Sequence, residues 1–221
     1  MPQYLIVALA ILAAYVLGSV PMGLYVVRAY TGKDIRDHGS GRIGGTNAMR
    51  AAGFHAGLIT SLSDLAKGFG AVYIGRLLVP GVPWVEAACG FAAVAGHNWS
   101  IFLDFKGGAG AATTVGVATA FWPLAAPILV PISTAILFLG GYASVASTCV
   151  AVSMPIMFTL LARDMGLPWV YVLGGFGIML LIMFALRPNY GRLMRGTERM
   201  VGPRAKALAA KQDDSIAASG A

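Results

Sequence analysis

Ser40, Thr46, Asn47 and Arg50 lie in the stretch Gly39-Ser40-Gly41-Arg42-Ile43-Gly44-Gly45-Thr46-Asn47-Ala48-Met49-Arg50, which has four glycines in its first seven positions. Glycine lets backbone approach a ligand closely, and an arginine can grip a phosphate through two parallel N–H groups. A second stretch, Phe105-Lys106-Gly107-Gly108-Ala109-Gly110, precedes a run of small residues that begins Ala111-Ala112-Thr113-Thr114. A glycine turn that opens a helix aims several N–H groups at one place, aided by the positive end of the helix. Lys106, Gly107, Gly108 and Gly110 are therefore candidate anion-binding positions, although the string is not a Walker loop. A third stretch, Arg187-Pro188-Asn189-Tyr190-Gly191-Arg192, offers Asn189 and Arg192, with Glu198 downstream to orient the arginine. Each stretch has a plainer reading: a flexible juxtamembrane loop, a re-entry turn with a snorkelling lysine, and a basic tail on lipid headgroups. Within the first stretch, Arg42 is read as facing headgroups in preference to Arg50.

Other polar residues stand inside apolar surroundings. Asp64 and Lys67 fall one turn apart on one helix face, and ionisable groups at such depth pair and mark a cavity or form a structural ion pair. His97, after Gly96, is a candidate base or phosphate donor, or else a packing histidine. Cys89 and Cys149 are the only cysteines, and each reads as a small buried hydrophobe. No metal or cofactor is expected.

The elements that position these residues are membrane helices. Of 221 residues, 57% are hydrophobic and 11% charged, against about 25% charged in a soluble domain. The net charge of +7 sits mostly in polar connections and the tail, where membrane orientation and anionic lipid explain it without nucleic acid. The N-terminal apolar run lacks a preceding Lys or Arg and continues through Val27, so it reads as a retained span and not as a signal peptide. About 20 apolar residues cross a bilayer, and candidate spans are 3–27, 54–79, 84–99, 111–125, 126–141, 145–162 and 168–186. The expected fold is an all-α polytopic membrane helix bundle of about seven transmembrane helices, with six as the alternative count if 111–141 is not divided around its prolines. The connection 28–53 carries Arg28, Lys33, Arg36, Arg42 and Arg50, and the region after 186 is also basic, whereas Pro80-Gly81-Val82-Pro83 is uncharged. Positive-inside bias then sets the N-terminus outside and the C-terminus in the cytoplasm, with all three polar stretches on the cytoplasmic side. Residues 1–206 form one domain with no internal repeat, and 207–221 read as a disordered cytoplasmic tail. A phosphate site at the inner edge of a membrane bundle implies an enzyme acting on phosphorylated lipid precursors.

Taken together, the strings resemble the PlsY family, the integral-membrane acyl-phosphate:glycerol-3-phosphate acyltransferases of bacteria. The resemblance begins at Gly18-Ser19-Val20-Pro21-Met22-Gly23 and runs through Asp34-Ile35-Arg36, the Ser40 loop with Thr46, Asn47 and Arg50, Asp64 and Lys67-Gly68. It resumes at Gly96-His97, Phe105-Lys106-Gly107-Gly108 and Asn189…Arg192…Gly196-Thr197-Glu198. It implies acyl transfer from acyl phosphate to the 1-hydroxyl of glycerol 3-phosphate, giving lysophosphatidic acid and phosphate in phospholipid synthesis, at the plasma (inner) membrane. The partners it implies are these two substrates and membrane lipid, with no obligate protein partner and no nucleic acid. Departures from the family pattern are Ala109 where a second lysine is usual, no histidine a few residues before Asn189, Arg42 for Asn, and Gly45 for Ala. A paralog with another substrate, or with impaired activity, is the alternative within the family.

The chain has no His-x-x-x-x-Asp pair and no Gly-x-Ser-x-Gly elbow, so positioning of an already activated donor is the expected chemistry. In that scheme Ser40 and Arg50 hold one phosphate, and Lys106 with the 107–110 amides holds the other. Thr46 and Asn47 orient the attacking hydroxyl or the oxyanion, and Lys67, His97, Asn189 and Arg192 complete the binding set. The competing class is a small membrane transporter for an organic phosphate, which would suit Asp64, Lys67 and the glycine-broken helices.

Overall fold

A computed structural model describes residues 1–202 and residue 205. The tail expected at 207–221 lies outside the described residues. Among the described residues eight α-helices make up most of the fold: α1 (Gln3–Ser19), α2 (Met22–Thr31), α3 (Gly45–Leu78), α4 (Pro83–Asn98), α5 (Ala111–Phe121), α6 (Ala125–Ala135), α7 (Ala143–Met165) and α8 (Trp169–Met194). Only a single isolated bridge, Tyr142 to Met200, pairs backbone in extended fashion among the described residues. The first span is one rod broken in two at Val20-Pro21, because proline has no N–H to continue the ladder. Counting α1 with α2, the rods number seven, as the hydropathy pattern implies. The rods Gln3–Thr31, Ala143–Met165 and Trp169–Met194 are long and apolar enough to cross a membrane, while α5 and α6 are short apolar helices.

The helices pack through small residues, as expected where lipid removes the usual hydrophobic drive between helices. A side chain at Gly18 would collide with the Ala93 backbone, one at Gly68 with the Thr113 carbonyl, and one at Gly116 with the Leu65 carbonyl. These contacts lock α1 to α4 and α3 to α5. An ion pair from Arg76 to Glu86, 2.6 Å long, joins α3 to α4, and the Tyr171 hydroxyl of α8 donates to the same carboxylate at 3.0 Å.

Two departures from regular helix and one helical extension shape the site. Gly53 has φ 86° and ψ 178°, so residues 45–52 form a separate first piece of α3 that redirects Arg50. α6 runs into a π-helical turn at Ile136–Gly140 before Gly141 closes it. The Asn189 and Arg192 stretch belongs to α8, which continues past residue 186 as helix and puts both residues one turn apart. Beyond α8 the chain doubles back, and the Val201 N–H donates to the Gly141 carbonyl at 2.8 Å, laying 197–202 across the end of the bundle.

Candidate active site

A cleft of about 440 Å³ opens where these irregularities meet. Its polar end is lined by Ser40, Arg42, Thr46, Arg50, Asn189 and Arg192, together with His97 and the turn Ala109-Gly110. Stretches more than a hundred residues apart therefore converge on one space, as a composite site requires. The other end is apolar, bounded by Leu58 and Leu62 of α3, Val115 of α5, Val130 of α6, Leu137 of the π-helical turn, and Val150 of α7. α3 and α6 both line the cleft but are not among the helix pairs packed against each other. Leu58, Leu62 and Val130 are exposed beside that gap, which leaves apolar surface at the side of the bundle.

The Asn47 amide builds the first loop. Its Nδ2 donates to the carbonyls of Ile35, His38 and Arg42 at 3.1, 3.0 and 2.8 Å, and its Oδ1 accepts the Ser40 N–H at 2.9 Å. Those bonds use both N–H groups and one lone pair of the oxygen, so Asn47 fixes the position of Ser40. Asn47, expected to orient the attacking hydroxyl or the oxyanion, holds the loop that carries Ser40. Thr46 lines the cleft, and its hydroxyl has no hydrogen-bond partner among the described residues.

Arg42 crosses the cleft, contrary to its expected place against headgroups. Its guanidinium donates to the Gly108 carbonyl at 2.8 Å, the Ala185 carbonyl at 2.6 Å and Asn189 Oδ1 at 3.2 Å. Burial pushes its pKa below the ordinary arginine value, with the nearby charge of Arg192 adding to the effect and Glu198 opposing it. Burial likewise lowers Arg50, helped by Arg199 and opposed by Glu198. Both remain cations, since arginine stays charged in proteins. Arg50 also donates to the Arg199 carbonyl at 3.4 Å.

Glu198 is brought in by the returning segment. It accepts from Arg192 Nε at 2.9 Å, Asn189 Nδ2 at 2.7 Å and the Ser144 hydroxyl at 3.2 Å. This is the orienting role expected of Glu198. Ser144 carries no signal in the sequence, because it sits in an apolar run and only the fold brings it to the cleft.

The glycine turn works differently from the expected cradle. The N–H groups of Gly107 and Gly108 donate to the carbonyls of Asn98 and His97 at 3.1 and 2.9 Å, so they staple the turn to the end of α4. Gly110 lines the cleft at the start of α5, as do Ala111 and Ala112. Lys106 is exposed and outside the lining, in contrast to its expected place in a phosphate cradle. Lys67 is also outside the lining: its ammonium is buried 2.9 Å from Asp64 Oδ1 and donates at 3.0 Å to the Val20 carbonyl freed by the break in the first span. The expected pairing of Asp64 with Lys67 is present, and the lysine's position is structural. His97 Nδ1 lies 3.4 Å from Asp64 Oδ1, and its ring fills the space where a Gly108 side chain would stand.

The sequence model of the family described as glycerol-3-phosphate acyltransferase matches residues 8–196 of this chain. A glycerol-3-phosphate acyltransferase of Desulforudis audaxviator is 42% identical over 194 residues, covering 88% of this chain and 95% of the relative. One from Rubrobacter xylanophilus is 41% identical over 196 residues, covering 89% of this chain and 96% of its own. Among solved structures, the glycerol 3-phosphate form of PlsY, an integral membrane glycerol 3-phosphate acyltransferase, superposes with a TM-score of 0.79 at 32% identity, covering 89% of this chain and 96% of PlsY. Its lysophosphatidic acid form gives a TM-score of 0.77 at 29% identity, covering 91% and 98%.

Proposed function

The chain belongs to the glycerol-3-phosphate acyltransferase family, and from that premise we propose that its acyl donor is acyl phosphate and its site faces the cytoplasm. It is a membrane enzyme that acylates glycerol 3-phosphate. One observation carries the reading: a cleft with an arginine-rich end for charged headgroups passes directly into an apolar end for a chain. The positive-inside distribution of Lys and Arg supports a plasma-membrane enzyme with its N-terminus outside and its C-terminus in the cytoplasm.

In the reaction, the 1-hydroxyl oxygen of glycerol 3-phosphate attacks the carbonyl carbon of the acyl phosphate. A new ester C–O bond forms, the C–O bond to phosphate breaks, and the hydroxyl proton leaves on a phosphate oxygen. The products balance as lysophosphatidic acid and inorganic phosphate. The donor is an activated anhydride, so holding two anions in register supplies much of the rate. Ser40 and Arg50 hold one phosphate, Thr46 orients the hydroxyl or oxyanion, and Asn189 and Arg192 close the other wall. Asn47 and Glu198 keep these groups in place. The acyl chain lies between α3 and α6.

The test is phosphate release from synthetic palmitoyl phosphate by the purified protein in detergent. Release that depends on glycerol 3-phosphate is expected. Acylation from acyl-CoA with none from palmitoyl phosphate would overturn the donor assignment.

A further inference from the structure

Four arginines border the cleft: Arg42, Arg50, Arg192 and Arg199. They fall into two couples, each with one member from 40–50 and one from the chain beyond residue 190: Arg42 is joined to Arg192 through Asn189 and Glu198, and Arg50 donates to the Arg199 carbonyl. Glu198 serves both couples, but its oxygens are already bonded to Arg192, Asn189 and Ser144. Asp64, the other carboxylate of the lining, is paired with Lys67. Guanidinium charge is therefore in excess, and an enclosed cation without a counter-anion is costly.

Among the described residues Arg42 has no carboxylate partner. Its three acceptors, Gly108 O, Ala185 O and Asn189 Oδ1, are all neutral. A guanidinium has five N–H donors, so two remain: Nε–H and the second hydrogen of Nη1. The neutral acceptors act as a frame that holds the plane of the group while leaving its charge for a ligand. Ala109, next to the Gly108 carbonyl that Arg42 grips, lines the same wall and brings no charge of its own.

We propose that Arg42 is a substrate-binding cation in this chain, forming with Arg192 a second phosphate subsite separate from that of Ser40 and Arg50. The proposal rests on the reading of the cleft as an acyltransferase site, and it moves the role expected of Lys106 to Arg42. The ligand is a phosphate monoester, carried either by glycerol 3-phosphate or by the donor.

Arg42→Gln and Arg42→Lys separate binding from framing. Gln keeps a donor for the carbonyls and loses the charge, whereas Lys keeps the charge and loses the three-way frame. Steady-state kinetics would give KM for glycerol 3-phosphate, KM for palmitoyl phosphate and Ki for inorganic phosphate. Arg42→Gln is expected to raise one of these KM values, and the phosphate Ki, about tenfold or more, the scale of one lost charge-assisted hydrogen bond. The KM that moves identifies the substrate. Arg42→Lys should stay within about threefold, the smaller change expected when charge is kept and only geometry is lost. Adding Ala109→Lys to Arg42→Gln should recover part of the lost affinity. Gln and Lys variants that lose kcat and melting temperature alike, with KM and Ki unchanged and no recovery, would overturn the proposal. If neither variant purifies folded, Ala109→Lys alone should tighten the phosphate Ki, and an unchanged Ki refutes the subsite. Thermal shift of the wild-type protein by inorganic phosphate, compared with Arg42→Gln, reads the subsite without turnover. A failure of the donor assignment thus remains distinguishable from a failure here.

Discussion

Replacing Asn47 with alanine would remove a side chain that touches no substrate in the proposed scheme, yet the loss should approach that of a direct contact. The amide spends two N–H groups on three carbonyls and one oxygen on the Ser40 N–H. At about 1 kcal/mol net per hydrogen bond, truncation removes roughly 3 kcal/mol from the closed form of the loop. Ile35 and Ile43 still anchor the loop against α2 and α3, so the loss is expected as local opening within 35–43 ahead of global unfolding. With tenfold per 1.4 kcal/mol, turnover should fall roughly 10²-fold if a displaced Ser40 cannot act. Asn47→Asp should fare no better, because a carboxylate supplies no donors to the three carbonyls. Phosphate release from palmitoyl phosphate gives the rate, and hydrogen exchange of amides 35–43 gives the opening. Near-wild-type turnover of Asn47→Ala with unchanged exchange in that segment would refute the reasoning. Lost turnover with unchanged exchange would mean that the amide acts on the reactants after all.

Ser40→Ala and Arg50→Ala should each lower turnover by roughly 10²-fold or more, as expected for loss of a transition-state donor, and near-normal rates in both would remove these residues from the site. Ala109→Lys in the wild-type background should leave turnover with acyl phosphate unchanged or higher, while a sharp loss would show a turn remodelled for another ligand. Gly108→Ala pushes a methyl group into the His97 ring and should destabilise by about 1–3 kcal/mol, read as a lower melting temperature in detergent. A second substitution, His97→Ala, should relieve that clash, and no relief would show that the two residues do not meet.

The membrane bundle is legible in the sequence because hydrocarbon burial sets the length and composition of each span. The break at Val20-Pro21 and the piece of helix before Gly53 are not, since an apolar run reads the same through a kink as through a straight helix. Convergence of the three polar stretches follows from their lying at alternate connections of the chain. What Asn47, Lys67 and Lys106 do there is tertiary information. Asn47 has the same donors whether it faces a loop or a ligand, and only the carbonyls around it decide. Lys67 is claimed by a carbonyl that the broken first span exposes 47 positions earlier in the chain. The N–H groups of Gly107 and Gly108 look free on paper because their acceptors belong to another helix. The setting of Arg42 is least local of all, as its three acceptors come from segments 66 to 147 positions away.

The unpacked seam between α3 and α6 has a kinetic meaning. A reactant that arrives through the side of the protein is counted by its mole fraction among lipids or detergent, not by its molarity in the tube. Diluting palmitoyl phosphate with inert detergent at fixed total amount should slow the enzyme, while the same dilution leaves the water-borne alcohol's saturation curve in place. In the proposed scheme the enzyme works between a planar reservoir and a bulk one, and its oily product re-enters the plane without dissolving in water.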